Sequence, residues 1–352
     1  MVINNLKRIV KHLKNNYKII IGIIIGIIIG VVISGCGVYA ATVIAASRVG
    51  YSDNASLGAT NVQDAIDKLN IKATIKLKEA EAKCPDGYKC VKPLCKRATT
   101  LHTETCSQTS TSSYCGSDGY TASGSMKTTT ITYGNLGTKG VLTSGDAFDC
   151  DVNGDGVYDS KKERFYYVSD MTNGVTQDSN TAVLIYYNNV SGGLPSNSTT
   201  YEYDYYGDAY SGPRTALAQL PTTSQWKNVS LINATRNITD EKNTVRKSAF
   251  SYEGYAARLL TAQEVSSGCG FTVGDYTDGV LSSKCKYLME NTDYSSSSLT
   301  SGAWLESPNA SDSSTAWLVN AGSRYSTSIR VFSNSGYGVR PAIEVLKFNI
   351  SY

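Results

Sequence analysis

With 352 residues, 18% of them charged, and a formal net charge of +3, the chain is long enough for one domain of ordinary size or two small ones. It is too nearly neutral to suggest a nucleic-acid partner. It holds 25 tyrosines, 6 phenylalanines and only two histidines, His12 and His102. No imidazole follows residue 102, which excludes a Ser-His-Asp triad, a Cys-His dyad or a His-ligated zinc site built within that later region.

Lys7, Arg8, Lys11, Lys14 and Lys18 precede Ile19–Ser34, which is almost wholly Ile, Val and Gly, and apolar character continues to Ala46. About 20 apolar residues span a bilayer, and the basic flank places the N-terminus in the cytoplasm. The sequence thus predicts a cytoplasmic basic segment over 1–18 and a transmembrane anchor or signal segment over 19–46. An uncleaved anchor makes this a single-pass protein of the cell membrane with its C-terminal region extracellular. The alternatives are cleavage after Val38-Tyr39-Ala40 and lipidation of Cys36 in Ile33-Ser34-Gly35-Cys36.

Residues 47–83 read as a linker and helical stalk. Thr60 and Gln63 have the spacing of a capping box. Val62, Ile66, Leu69, Ala73 and Ala80 follow a heptad-like pattern, with Lys76 in the missing seam position. This pattern fits either a short coiled coil, with a homo-oligomer through the stalk, or a solitary amphipathic helix packed on the head. The run Val62-Gln63-Asp64-Ala65-Ile66-Asp67-Lys68-Leu69 resembles an element that follows the anchor in many bacterial surface proteins and in phage tail fibres.

Residues 84–144 form a Cys-rich loop region with short strands such as Thr128–Tyr133. Apart from Cys36, the cysteines are Cys84, Cys90, Cys95, Cys106, Cys115, Cys150, Cys269 and Cys285. An even set in an exported domain reads as a disulfide framework. Short loops favour Cys84–Cys90, Cys106–Cys115 and Cys269–Cys285, leaving Cys95–Cys150. A zinc site from Cys84, Cys90, Cys95 and Cys106 is the rival, weakened because no CxxC pair occurs. His102 beside Thr103 and Glu104 reads as structural or merely exposed rather than catalytic.

Strand patterning begins at Gly145 and opens a head over 145–352. Asp146–Val152 and Arg164–Ser169 are predicted strands flanking Asn153-Gly154-Asp155-Gly156, and Val183–Tyr187 is a compact apolar strand. Asp151, Asn153, Asp155 and Asp159 stand at positions 1, 3, 5 and 9 of a loop with Gly156 at position 6. Oxygen ligands so spaced suit a structural Ca²⁺. The loop resembles EF-hand and dockerin loops, except that Lys162 holds position 12 and Glu163 follows one place late. A plain Asp/Asn/Gly hairpin turn is the other reading.

Thr261 and Glu264 form a second capping box and predict a helix start. Arg258-Leu259-Leu260-Thr261-Ala262-Gln263-Glu264-Val265 resembles a helix start of the formylglycine-generating-enzyme-like branch of the C-type lectin fold. Leu220-Pro221-Thr222-Thr223-Ser224-Gln225-Trp226 echoes it, and Gly338-Val339-Arg340-Pro341-Ala342 resembles the strand that closes that fold. Trp304 and Trp317 lie in expected core strands, and Arg340 reads as a structural ion pair or a hydrogen bond to a loop carbonyl. The resemblance implies an α+β, C-type-lectin-like head with antiparallel strands and one or two short helices. It is to bacterial surface proteins of the gut Firmicutes type, including those whose variable region is diversified by retroelements. No Cys follows Cys285, so the reactive cysteine pair of the enzyme branch is unmatched and no catalysis is expected.

The stretch 320–337 mixes Ser, Asn, Tyr and Arg, the vocabulary of adaptable recognition surfaces. Trp317, Asn320, Arg324, Tyr325, Ser328, Arg330, Phe332, Asn334 and Tyr337 are the expected ligand-binding residues. The expected function is ligand binding or adhesion by a membrane-anchored protein toward an extracellular protein or glycan, with no nucleic-acid partner. A pilin-like structural subunit and a degenerate formylglycine-generating-like or carbohydrate-active domain are the alternatives.

Overall fold

Aromatic and β-branched runs punctuated by Gly and Asn build a molecule dominated by strands. The computed structural model describes residues 92–108, 127–172, 176–177, 180–270, 285–292, 299–320, 325–332 and 337–352. These fall within one unit, Lys92–Tyr352. In chain order the strands are β1 (Cys95–Arg97), β2 (His102–Gln108), β3 (Lys127–Tyr133), β4 (Ala147–Cys150), β5 (Arg164–Ser169), β6 (Met171–Thr172), β7 (Thr176–Gln177), β8 (Thr181–Tyr186) and β9 (Val190–Ser191). They continue as β10 (Leu194–Pro195), β11 (Thr235–Thr239), β12 (Val245–Ser251), β13 (Gly302–Asn309), β14 (Asp312–Asn320), β15 (Tyr325–Arg330), β16 (Tyr337–Gly338), β17 (Ala342–Leu346) and β18 (Ile350–Ser351). Helix α1 (Arg214–Leu217) is a single turn and α2 (Ala262–Cys269) has eight residues.

The main sheet has the order β17-β8-β5-β4-β1-β18, and a second sheet has the order β15-β14-β13-β16. Strand side chains alternate between faces, and here both faces of the main sheet are covered. Phe165, Tyr167, Leu184, Tyr186, Ile343 and Val345 enter one core with Trp226 and Trp304. Their neighbours Tyr166, Val168, Val183, Ile185 and Ala342 enter another with Val265 of α2, Leu305 and Trp317. Double coverage explains why β5 and β8 are buried along their whole length.

The α+β reading is corrected: among the described residues, strands make up 39% and helices 11%. The capping box does form, with Thr261 accepting from the Glu264 amide, but Gly270 ends α2 in the left-handed region at φ 75. Among the described residues, no helix is long and apolar enough to cross a membrane. The preceding transmembrane helix, the helical stalk and the single-pass placement with an extracellular C-terminal region are withdrawn on that finding. The segments 1–18, 19–46 and 47–83 lie outside the described residues. The boundary expected at 144/145 falls inside one unit, because β1 pairs with both β4 and β18.

Cys95 lies opposite Cys150 in the β1–β4 register and is bonded to it, and Cys269 at the end of α2 is bonded to Cys285. Both are pairings expected from the sequence, and the first removes Cys95 from the rival zinc set. Cys84, Cys90 and Cys115 lie outside the described residues; Cys106 falls on β2, with its side chain outside them.

A buried ionic cluster ties the layers together. Arg258 has no accessible surface and lies between Glu264 and Glu344. Arg236 bridges Glu344 and Glu306 at 3.1 Å each, and the Tyr252 hydroxyl donates to Glu306 at 2.7 Å. Arg340, also buried, donates to the carbonyls of Tyr186, Leu288 and Tyr287 at 2.6–2.7 Å, the structural role expected of it. That role clamps the Lys286–Met289 turn onto β8.

Candidate functional site

The Tyr-rich run 201–210 leaves the β9–β10 hairpin and passes the C-terminal end of β15. The Tyr203 and Asp204 amides donate to the Val331 carbonyl at 3.0 and 3.3 Å. Asp204, fully buried, takes two hydrogen bonds at 2.8 Å from Arg214 and one from the Asp208 amide. Its hydrogen bond and charge raise the Arg214 pKa against a smaller opposing effect of burial. The Arg214 guanidinium in turn lies 4.7 Å above the Tyr206 ring. Gly207, at φ 78, turns the chain; a Cβ there would stand 3.2 Å from the Phe332 ring.

This scaffold holds three aromatic rings in solvent. Tyr205 and Tyr206 are 71% and 77% exposed, and Phe332 is 46% exposed. The tyrosine rings meet edge to face at 5.7 Å, and exposed Arg330 lies 5.9 Å from the Phe332 ring. The face offers apolar contact area, two phenolic hydroxyls and two guanidinium groups. Such groups anchor protein interfaces.

Of the residues expected from sequence, Arg330 and Phe332 belong to this face. Trp317 is buried, its indole N–H donating to Glu241 at 2.9 Å. Tyr337 packs on Trp304 at 5.5 Å between ring centres, and half-buried Asn320 donates to its hydroxyl at 3.2 Å. Trp317 and Tyr337 thus pack inside the second sheet, with Asn320 partly exposed beside them. Tyr325 and Ser328 lie on β15 opposite Asn320 and Trp317. Arg324 and Asn334 are outside the described residues. Sequence reasoning missed Tyr205 and Tyr206; the available signal was the density of tyrosine in 201–210, with Asp204 and Gly207 as turn residues.

The Asp-Asn-Asp loop joins antiparallel β4 and β5. Asp151 accepts from the Gly154 and Gly156 amides at 3.0 Å each. Asn153 accepts from Asp155, Asp155 from Val157, and Asp159 from Lys161. Glu163 folds back to accept from the Asn153 and Asp159 amides. Burial pushes its carboxyl up to about 7, with Asp155 and Asp151 adding to the rise against the two amides. Among the described residues, no three His, Cys, Asp or Glu side chains are gathered to hold a metal ion.

His102 is not isolated. Its Nδ1 lies 2.6 Å from Glu290 Oε1 and its Nε2 lies 2.5 Å from the Ser160 carbonyl, while Tyr166 donates to Glu290 Oε2 at 2.6 Å. Both ring nitrogens face acceptors, so this geometry suits the imidazolium. The group clamps β2 to residues 58 and 188 positions away.

The architecture is a two-core, mostly β unit carrying an exposed aromatic face. No family model, curated protein or solved structure matches the chain, so the functional reading rests on its own residues.

Proposed function

We propose that this chain is a binding protein that recognises a folded protein partner through the face of Tyr205, Tyr206, Phe332, Arg214 and Arg330. The observation that carries the reading is the 71% and 77% exposure of two tyrosines whose backbone and neighbours are held by buried Asp204. Exposed aromatics cost solubility unless a partner covers them, and fixed rings lose little entropy on binding. Their projection into solvent fits a protein surface better than a small molecule, which favours a concave site. The two disulfides fit folding in an oxidising compartment. The test applies labelled full chain to arrayed cell-surface proteins. Saturable binding is expected, falling about 30-fold or more in the Tyr205→Ala/Tyr206→Ala variant, as for a hot-spot pair, with an unchanged melting temperature. Full binding by that variant, or no binding at all, overturns the reading.

We also propose that the 151–163 loop takes Ca²⁺ as a structural brace. The observation favouring it is Glu163, whose backward turn brings a carboxylate to the loop where position 12 carries Lys162. Calcium at about 100 times its Kd adds about 2.7 kcal/mol, which corresponds to a rise of about 5 °C or more in the melting temperature. Identical calorimetric scans in CaCl₂ and in EDTA count against the proposal.

A further inference from the structure

We infer a second ligand site in the cleft between the Gly134–Ser144 loop, the end of β5 and the last turns of α2, and assign it to a short neutral oligosaccharide. The cleft shares no residue with the aromatic face and encloses about 710 Å³, within the range of about 300–1,000 Å³ usual for small-molecule sites. At its floor α2 packs directly on β5: a Cβ on Gly268 would stand 2.6 Å from the Val168 carbonyl oxygen. At one end Asp170 accepts from the Tyr167 hydroxyl at 2.5 Å and from Lys347 at 2.8 Å. These bonds fix its position and balance its charge, while each carboxylate oxygen keeps a further lone pair for a ligand hydroxyl. Elsewhere on the wall the Ser144 and Tyr287 hydroxyls stand 2.8 Å apart, and Ser267 and Thr132 are exposed.

Seven of the fourteen lining residues carry a hydroxyl, and a hydroxyl both donates and accepts. A ligand that enters must satisfy each group it covers, or the uncovered donors and acceptors cost more than contact returns. A polyol matches such a wall group for group. An apolar ligand leaves it unsatisfied, and the charges at the cleft, Asp170 paired with Lys347 and Lys286 in the lining, are of both signs, so they select neither a strongly anionic nor a strongly cationic ligand.

The test titrates maltotriose, cellotriose and diacetylchitobiose, each to 10 mM, into the full chain, read by saturation-transfer NMR and calorimetry. At least one sugar is expected to bind saturably. Asp170→Asn should weaken that binding tenfold or more. Ser267→Trp, which fills the cleft from an exposed helix position, should abolish it without lowering the melting temperature. Tyr205→Ala/Tyr206→Ala should leave it unchanged, so failure of the protein-binding reading and failure of this one are separable. No saturable binding of any of the three sugars, or binding that survives both cleft variants, overturns the assignment.

Discussion

Replacing Arg258 with Leu should remove about 3–5 kcal/mol of unfolding free energy, the usual loss when one member of a buried ionic set is deleted. Its Nε donates to Glu344 at 2.8 Å; its terminal nitrogens donate to both Glu264 oxygens at 2.5 and 2.8 Å and to the Leu259 carbonyl at 2.8 Å. Burial works against the charged guanidinium, but Glu264 and Glu344 outweigh it and hold the Arg258 pKa well above its ordinary value. Burial likewise opposes the Glu344 carboxylate, and Arg258 with Arg236 reverses the balance and lowers its pKa. Without Arg258, two inaccessible carboxylates lose their shared cation. A domain is stable by only about 5–15 kcal/mol, so the variant should unfold at markedly lower urea concentration. Arg258→Lys should fall between the two, since a point charge replaces the fork but not its geometry. A loss below about 1 kcal/mol in Arg258→Leu would contradict a cooperative cluster.

The His102–Glu290 pair should make stability depend on pH above neutrality. Burial lowers the His102 pKa, but the hydrogen bond and charge of Glu290 and the Ser160 carbonyl win, with nearby Arg164 opposing them, and the net pKa is raised above 6.5. The Tyr187 ring edge at 5.2 Å completes its surroundings. A basic group whose folded-state pKa exceeds its unfolded one contributes stability that is fully present below the unfolded pKa and lost as pH rises through the folded pKa. Wild type should therefore exceed His102→Gln by about 2–3 kcal/mol near pH 5.5, discounting a buried pair for the partial exposure of the ring. The gap should narrow from about pH 6.5 upward. Glu163, also raised, affects both proteins alike and cancels in the comparison. A gap that stays constant from pH 5.5 to 9 would assign His102 a packing role alone.

Several local features were legible in the sequence because their causes are local. Strand β5 occupies the predicted Arg164–Ser169, since β-branched and aromatic residues bounded by turn residues specify extended chain. The Thr261–Glu264 capping box spans three residues, and the α2 start follows from it. The Cys269–Cys285 pair, 16 residues apart, follows the short-loop preference, whereas Cys95–Cys150, 55 apart, was only the pair left over. Arg330 and Phe332 were named for their chemistry, and the structure leaves both at the surface.

Other features had no local signal. Trp317 and Tyr337 carry the same residue types as a recognition surface, yet the second sheet buries them. Tyr203 and Tyr205 are two residues apart on one run, and only the docking of that run on Val331 buries the first and exposes the second. The partners of His102 and Arg258 lie up to 188 and 86 positions away, beyond any periodicity.

Composition and short-range spacing thus settled where chain extends, turns and cross-links, because propensity, capping and loop closure act over a few residues. Which aromatic is core and which is contact surface, and where each buried charge finds its counter-charge, was decided by tertiary packing. Burial and electrostatic pairing depend on neighbours in space, and in this molecule those neighbours come from distant parts of the chain.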